Sequence, residues 1–333
     1  MAFIKINKDN YFYNLNECLK RVKDINKLII ILKDNAYGHD INIISDFALE
    51  FNVTYAAVKN QEEAQKIKDK FKNILILSQI PKYYEAKDNY VLAINDINYL
   101  NYVKKGDKIA LKLDSGMHRS GINIHNLEDV LKLIKDKNLK LVSAFTHYSS
   151  PNNIKFQKPN YIKMKEYLEQ NYDEELFFHS ANSSTLFLGE NDIDGAARVG
   201  LAQFGYCDVK ANLKPVLSLW AEKISSRKIH KNDSIGYDEV FVSDDEFVAA
   251  NYDLGYADGL LYYKGEGEVY LADNKSKILG KISMDSFSTY DLEDEVCVFD
   301  DALKYANYFN TNPYEALVRL NPNIKKIIVW LGI

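Results

Sequence analysis

The chain has 333 residues, of which 47% are hydrophobic and 27% charged, and its formal net charge is −5. No stretch approaches the roughly 18 consecutive apolar residues of a membrane span, and the basic residues form no stripe that would attract nucleic acid or an anionic membrane. These features favour small-molecule chemistry in a soluble protein. The length exceeds what one small core usually serves, so we expect a large domain and a smaller one.

Neither the cysteines nor the first residues indicate an exported protein. Cys18, Cys207 and Cys297 are odd in number and lack Cys-x-x-Cys spacing, which argues against a disulfide framework and a zinc site. Residues 1–5 are not a basic region followed by an apolar segment and a cleavage site. We therefore expect a cytoplasmic protein that binds no metal.

Strand and helix patterns alternate along the first 200 or so residues. Short apolar runs predict strands at 28–32, 55–58, 74–77, 91–94, 108–113 and 139–145, and near 176–178 and 197–199. Helical spacing predicts helices at 9–24, 40–52, from 60 onward, 81–87, 97–104, 126–135 and within 154–170. Strands alternating with helices at this density imply a closed, TIM-like (β/α)8 barrel over residues 1–212.

The pattern changes near residue 215. Short apolar segments then alternate with polar or glycine-containing turns, which is typical of an antiparallel β domain. We assign residues 213–333 to this second domain, and the first few residues of the chain are candidates to pack with it. A short helix is predicted at 314–319.

Lys33 is the first chemically unusual residue of the predicted barrel. It ends an apolar strand, where burial disfavours the ammonium form and suits an amine that acts as nucleophile or base. Taken alone, such a lysine more often begins a solvated loop. Other unusual side chains lie at or near the ends of further predicted strands, at Lys112, His147, His179 and Arg198. Barrel active sites lie at this end of the strands.

Five segments, in order, resemble the motifs of alanine racemases. They are KDNAYGH at 33–39, KLDSGMHRSG at 112–121, IGY at 235–237, LGYADG at 254–259 and GKISMD at 280–285. Together they extend over most of the chain. The resemblance implies an enzyme of fold type III that uses pyridoxal 5'-phosphate (PLP) to interconvert L-alanine and D-alanine, supplying D-alanine for cell-wall peptidoglycan.

The resemblance also implies how PLP is held. Lys33 matches the lysine that bonds to the cofactor. The matches to the phosphate-binding residues are Tyr37, Asn182, Ser183, Gly200 and Leu201. Hydroxyls and unpaired N–H groups at helix starts are physically suited to a phosphate.

Two further residues match the groups around the PLP ring. His147 matches the histidine against the ring, and Arg198 matches the arginine that faces the pyridine nitrogen. Because arginine stays protonated, it cannot leave a proton on that nitrogen. The resemblance implies that the PLP ring is a weaker electron sink than one with a protonated nitrogen, which suppresses transamination and decarboxylation.

Racemisation needs a base on each face of Cα. By the resemblance, Lys33 serves one face and the partner subunit's Tyr237 serves the other, with His147 and Arg198 in a relay behind it. The chain is then an obligate homodimer with shared active sites.

The resemblance assigns the substrate groups as well. Arg119 and the partner subunit's Met284 would bind the substrate carboxylate, and Tyr256 would line the inner channel. Lys112 occupies the place of a lysine that is carbamylated in many family members. A carbamate would give Arg119 an anionic partner.

Three positions depart from the family pattern in the outer channel. Asn152 stands where well-known members have aspartate, and Tyr262 and Lys281 stand where they have arginine. These changes leave the reacting centre intact but leave substrate breadth open, so a racemase that also accepts serine is an alternative. A non-catalytic PLP carrier and a basic amino acid decarboxylase are further alternatives. The decarboxylase is disfavoured because that group places a cysteine at position 237.

Overall fold

The computed structural model describes residues 1–190 and 194–330, so the predicted end of the second domain, residue 333, lies outside the described residues. The chain forms two compact units. The barrel unit joins Phe12–Ala36 to Ile41–Leu213. The β unit joins Met1–Tyr11 and Tyr37–Asp40 to the chain from Lys214 onward.

The first strand, β1 (Phe3–Asn7), belongs to the β unit, and the next nine strands form the barrel sheet. They are β2 (Leu28–Ile31), β3 (Tyr55–Val58), β4 (Asn73–Ile76), β5 (Tyr90–Ile94), β6 (Lys108–Lys112), β7 (Lys140–Phe145), β8 (Phe177–His179), β9 (Ala181–Asn182) and β10 (Ala197–Val199). Their order in the sheet is β8-β7-β6-β5-β4-β3-β2-β10-β9, and every pair is parallel.

A broken strand closes the barrel. Only Ser180 separates β8 from β9; β8 pairs with β7, where His179 lies opposite Phe145, and β9 pairs with β10, where Asn182 lies opposite Arg198. The nine strands therefore occupy eight positions around a closed barrel, which confirms the predicted (β/α)8 architecture. Strands such as β2, β3 and β5 are buried along their whole length, as expected for parallel strands covered on both faces.

The α-helices of the first 200 residues are Lys8–Val22, Ile41–Glu50, Gln61–Lys66, Leu127–Asp136, Ile154–Asn171 and Ser183–Leu188. The predicted helices at 81–87 and 97–104 are wrong. Only 3-10 turns form there, at Pro81–Tyr83 and Ile97–Asn101. Such short connections add too few hydrogen bonds to offset the cost of starting an α-helix.

The β unit is built on one long strand. The remaining strands are β11 (Leu217–Ile229), β12 (Ser234–Ile235), β13 (Phe241–Val242), β14 (Phe247–Tyr252), β15 (Phe287–Tyr290), β16 (Glu295–Phe299) and β17 (Lys325–Val329). β11 pairs antiparallel with β1, β14 and β16, and β1 pairs parallel with β17. The mainly antiparallel sheet confirms the predicted fold class. Two helices, Ala302–Asn307 and Pro313–Val318, complete the unit.

Two features are absent from residues 1–190 and 194–330. No helix there is both long and apolar enough to cross a bilayer. The same residues contain no group of three or more histidine, cysteine, aspartate or glutamate side chains placed to hold a metal ion.

Candidate active site

A left-handed turn follows Lys33. The four residues after it, Asp34, Asn35, Ala36 and Tyr37, have φ angles of 53°, 55°, 53° and 53°. This is one turn of left-handed helix built without glycine. Each L-residue in that conformation costs roughly 1–2 kcal/mol, somewhat less for Asp and Asn. A turn of this kind persists only where surrounding bonds hold it, and such strain concentrates at functional sites.

Four positive charges act on His147, which lies just after the end of β7. Burial contributes most to lowering its pKa to about 3, followed by the positive charges of Arg198, Arg119, Lys112 and Lys33. The imidazole is therefore neutral at physiological pH. These charges all act on one ring, although the sequence places the four residues in or after three separate strands, β2, β6 and β10.

Arg198 is buried, with 4% of its surface exposed. Its guanidinium donates to the carbonyl oxygens of Thr146 and His179, to that of Ser180 at 3.3 Å, and to Nδ1 of His179 at 2.8 Å. Burial lowers the pKa of Arg198 to about 10, so it remains protonated at neutral pH. These bonds fix its direction. Within the described residues, no hydrogen bond joins Arg198 to His147, the pair expected to form a relay.

His179 is the ring that Arg198 contacts instead. It stacks on Phe145 with ring centroids 4.9 Å apart and planes 9° apart, and burial holds its pKa well below the usual value. Because Arg198 donates to Nδ1, the proton of the neutral ring lies on Nε2. Among the described residues, Nε2 has no hydrogen-bond partner. His179 therefore serves as an acceptor that holds Arg198.

Lys112 ends β6 and donates to the hydroxyl of Ser120. Burial, and then the charges of Arg119 and Arg198, lower the pKa of Lys112 to about 8. The loop to Arg119 is held by Asp114, which accepts backbone N–H bonds from three residues of the loop at 3.0–3.1 Å. Lys112 therefore loses its proton at a lower pH than an ordinary lysine does.

A glycine lets this loop return to the strand. Gly121 has a φ of 132°, and a Cβ placed there would lie 2.9 Å from the backbone nitrogen of Asp114 and 3.0 Å from the carbonyl oxygen of Lys112. No larger residue fits without displacing the backbone.

Two turns predicted to bind phosphate meet at Ser183. Its Oγ accepts hydrogen bonds from the backbone nitrogens of Gly200, at 3.1 Å, and Ala202, at 3.4 Å. Leu201 opens the 3-10 turn Leu201–Phe204. Among the described residues, no acceptor for the proton of the Ser183 hydroxyl is found. That hydroxyl can therefore donate to an anion.

Asn182 caps the helix that begins at Ser183. Its Oδ1 accepts from the backbone nitrogen of Thr185 at 3.0 Å, and Thr185 Oγ1 accepts from the Asn182 nitrogen at 2.8 Å. This capping box fixes the start of helix Ser183–Leu188. Its side-chain amide also donates to the carbonyl oxygen of Tyr148 at 3.3 Å.

Tyr37 belongs to the β unit, although it lies between barrel elements along the chain. Its ring is 5.9 Å from that of Tyr314. A Cβ on the next residue, Gly38, would lie 2.3 Å from the carbonyl oxygen of Leu317. The motif tyrosine is thus packed against the segment 314–317.

The β unit presents its predicted site residues on exposed turns. Tyr237 is 63% exposed, Met284 54% and Tyr256 42%. The turns of Tyr256 and Met284 are in close contact, because a Cβ on Gly255 would lie 2.0 Å from the carbonyl oxygen of Met284. The nitrogen of Ala257 donates to the same oxygen at 2.9 Å.

The turn that carries Tyr237 is attached to the same loop. Asp238 forms an ion pair with Lys281, and a Cβ on Gly280 would lie 2.3 Å from the carbonyl oxygen of Ile235. Asp238 has a φ of 60° and Glu239 of 51°, so this turn also contains left-handed residues. The loop 280–284 is thus the common partner of the turns of Tyr237 and Tyr256.

The three departures from the family pattern lie at exposed or partly exposed positions. Asn152 is exposed within the turn Pro151–Asn153. Tyr262 packs edge-on against Tyr256, with centroids 5.4 Å apart and planes at 86°. Lys281 pairs with Asp238 as described.

Glu63 was not predicted from the sequence to lie near Lys33. This residue lies in the first turn of helix Gln61–Lys66 and contacts the left-handed turn after Lys33. The only available indication was its place three residues after Asn60, a position from which glutamate often binds backbone N–H groups.

Comparisons with known proteins agree over the whole chain. The family model for the alanine racemase N-terminal domain matches residues 6–208, and that for the alanine racemase C-terminal domain matches residues 216–328. The alanine racemase of Campylobacter jejuni subsp. jejuni strain 81-176 is 45% identical, over 99% of this chain and 100% of its own. The alanine racemase of a Nitratiruptor species is 36% identical, over 99% and 100%.

Solved structures share the fold. An alanine racemase from Clostridium difficile 630 superposes with a TM-score of 0.89 at 20% identity, covering 99% of this chain and 96% of its own. That from Bacillus anthracis, determined with bound L-Ala-P, has a TM-score of 0.89 at 23% identity, covering 98% and 95%. The resemblance read from the five motifs is confirmed. The chain belongs to the alanine racemase family, a family of amino-acid racemases.

Proposed function

We propose that the chain interconverts L-alanine and D-alanine with PLP bound at Lys33. The observation that carries this proposal is the set of cations around neutral His147, contributed by Lys33, Lys112, Arg119 and Arg198. A site so rich in positive charge suits ligands that bear a phosphate and a carboxylate. The family to which the chain belongs supplies the reaction.

The barrel residues fit PLP. Ser183 has a hydroxyl proton available for the phosphate, and the start of the turn at Leu201 offers backbone N–H groups. His147 offers a neutral ring and Arg198 a fixed, protonated guanidinium for the ring nitrogen. When bound, PLP withdraws electrons from Cα of the amino acid and so makes its proton removable. Asn182 supports these groups by fixing the start of the helix that Ser183 opens, and Tyr37 is proposed to donate to the phosphate.

Two bases act on the substrate in this proposal. Lys33 removes or returns the proton on the face of D-alanine, and the partner subunit's Tyr237 does so on the face of L-alanine. Arg119 and the partner subunit's Met284 bind the substrate carboxylate, and Tyr256 lines the channel. Arg198 holds its charge near the ring nitrogen because His179 accepts its hydrogen bond.

The exposure of the β-unit residues supports a homodimer. Tyr237, Met284 and Tyr256 are exposed, as are Val240 at 42% and Tyr262 at 47%. A cluster of exposed apolar and aromatic side chains marks a surface that another chain covers. A catalytic phenol on such a surface suits a site completed between two copies.

Lys112 is proposed to be carbamylated. Its lowered pKa leaves a usable fraction of neutral amine at mildly alkaline pH. The nitrogen lone pair attacks CO2, the N–H proton leaves to solvent, and the product is an anionic N-carboxylate beside Arg119. Native mass spectrometry should show the added mass of one CO2 in wild type and its absence in Lys112→Ala.

The product is proposed to be D-alanine for peptidoglycan, made in the cytoplasm. Alanine is the proposed substrate because the family supplies it, and serine is the alternative that the changes at Asn152, Tyr262 and Lys281 leave open. Comparing the two substrates in the experiment below decides between a narrow and a broad racemase.

The proposed function is tested with PLP-loaded protein in heavy water. L-Alanine and L-serine are supplied separately, and optical rotation and deuterium at Cα are followed. Loss of rotation with deuterium uptake on alanine is expected, and Lys33→Ala should show neither. Retained rotation without exchange, although PLP is bound, would favour a PLP carrier. Release of CO2 would favour a decarboxylase.

A further inference from the structure

Glu63 connects the left-handed turn after Lys33 to the neighbouring strand. Its Oε1 accepts a hydrogen bond from the backbone nitrogen of Asn35 at 3.0 Å, and its Oε2 accepts one from the backbone nitrogen of Lys59 at 2.9 Å. Asn35 is the second of the four residues of the left-handed turn, and Lys59 follows the end of β3. One carboxylate thus bridges the loops after β2 and β3, which are adjacent parallel strands.

Glu63 does not make the hydrogen bond that is usual for a glutamate at the third position of a helix. Glu63 is three residues after Asn60, whose side chain caps the helix by accepting from the Glu63 nitrogen at 3.1 Å. A glutamate there usually binds the backbone nitrogen of the capping residue itself. Here it reaches one residue further back, to Lys59, and across to Asn35. Its two oxygens therefore accept hydrogen bonds from two different loops.

A second link joins the same two loops. Nζ of Lys59 donates to Oδ1 of Asp34 at 3.2 Å. The two side chains are 55% and 36% exposed, so this pair contributes little compared with a carboxylate that accepts backbone N–H groups. Glu63 is the stronger of the two links.

The turn needs such a link because it is strained. Four consecutive residues without glycine are held in the left-handed region, and a relaxed backbone would return to right-handed or extended conformations. Lys33 is the residue from which the turn departs. Any relaxation of Asn35 therefore changes the direction in which the Lys33 side chain leaves the strand.

We propose that Glu63 is a positioning residue for Lys33, which fixes the left-handed turn so that the amine reaches Cα in the geometry for proton transfer. This inference rests on the proposed function. It predicts that Glu63 affects the step that uses Lys33 and leaves the step that uses the partner subunit's Tyr237 unaffected.

The first test measures the hydrogen bond itself, without turnover. Amide hydrogen exchange of Asn35 is compared in PLP-loaded wild type, Glu63→Gln and Glu62→Gln. Glu62 lies in the same helical turn and is exposed, so its variant makes the same charge change as a matched control. Exchange at Asn35 should accelerate about tenfold or more in Glu63→Gln and stay unchanged in Glu62→Gln. A wild-type Asn35 amide that exchanges as fast as an unprotected one would overturn the proposal.

The second test uses primary deuterium isotope effects on kcat/KM with alanine deuterated at Cα. In Glu63→Gln, kcat should fall by about tenfold to a hundredfold. The isotope effect with D-alanine should rise and that with L-alanine should fall toward one, because the Lys33 step becomes more rate-limiting. A merely structural role would lower the active fraction and leave both isotope effects as in wild type.

A third variant covers the case in which Glu63→Gln does not fold. Glu63→Asp keeps the charge but is one methylene shorter, so it cannot reach both nitrogens, and it should change the isotope effects in the same directions. Unchanged isotope effects in a folded, PLP-loaded variant would refute the positioning role while the racemase function stands. Absence of racemisation in wild type would instead refute the proposed function.

Discussion

The two units present their candidate site residues in opposite ways. In the barrel unit, Arg198 is 4% exposed and its guanidinium is held by three carbonyl oxygens and a ring nitrogen. In the β unit, Tyr237 and Met284 are 63% and 54% exposed, on turns that glycines bring into contact. The barrel prepares a buried, charged site within one chain. The β unit prepares an exposed group of side chains that fits the proposed role of completing a site in another chain.

The largest expected effect on the β-unit side comes from Gly255→Ala. The added Cβ would lie 2.0 Å from the carbonyl oxygen of Met284, so the loop 280–284 must move. We expect kcat/KM to fall by about tenfold to a hundredfold, with a loss of about 1–3 kcal/mol in the free energy of unfolding. Steady-state kinetics and urea unfolding measure the two effects.

Gly267→Ala is the matched control. Gly267 also lies in the β unit, with a φ of 75° and no atom within 4 Å of its added Cβ. The substitution therefore introduces backbone strain without bringing the added Cβ close to another atom. If both variants lose activity equally, the contact between Gly255 and Met284 is not what positions the loop.

The next prediction concerns the barrel side and its dependence on pH. Burial and four cations lower the pKa of His147 to about 3, whereas an unfolded histidine titrates near 6.5. Between these values the unfolded chain binds more protons, so stability is fully present above about pH 6.5 and is lost as the pH falls toward 3. His179, whose pKa is also lowered, acts in the same direction.

The measurement is urea unfolding of PLP-free protein from pH 7 to pH 4. Replacing His147 by Gln should reduce the slope of unfolding free energy against pH by up to about 1.4 kcal/mol per pH unit. His125→Gln is the control, because this histidine is exposed in the turn Ile124–Asn126. An unchanged slope in His147→Gln would show that the cations do not act on this ring.

The smallest expected effect comes from Lys281→Met. It removes the ion pair with Asp238, on the turn that carries Tyr237. An exposed pair contributes about 0–1 kcal/mol, so we expect activity to fall only about twofold to fivefold, measured as kcat/KM. Lys277→Met removes the pair with Glu268 at 2.7 Å elsewhere in the β unit and should leave activity unchanged. Equal effects of the two variants would show that the ion pair between Lys281 and Asp238 does not position the turn of Tyr237.

Much of the fold could be predicted from the sequence because its barrel strands are apolar runs buried on both faces. The run before Lys33 is an example, and it forms β2 as expected. The predicted helices at 81–87 and 97–104 failed because helical spacing in a short connection does not ensure enough bonds for an α-helix. Local pattern also could not show that Tyr37 packs with Tyr314, far away along the chain.

The candidate site could be predicted only in part for a related reason. Lys33, His147 and Arg198 could be proposed as site residues because barrel sites gather at the ends of strands. The left-handed turn could not be foreseen, since Ala36 and Tyr37 have no local preference for positive φ. Glu63 was missed because its partner, Asn35, lies in the loop of another strand.

The proposal that the β unit completes the partner subunit's barrel site is tested by mixing two inactive variants. Lys33→Ala and Tyr237→Phe are co-expressed with different tags, and mixed dimers are quantified. Each mixed dimer would contain one site with both Lys33 and Tyr237 intact. Random mixing should therefore restore about a quarter of wild-type activity. Activity no higher than that of the separate variants, with mixed dimers present, would contradict the claim and place both bases of a site on one chain.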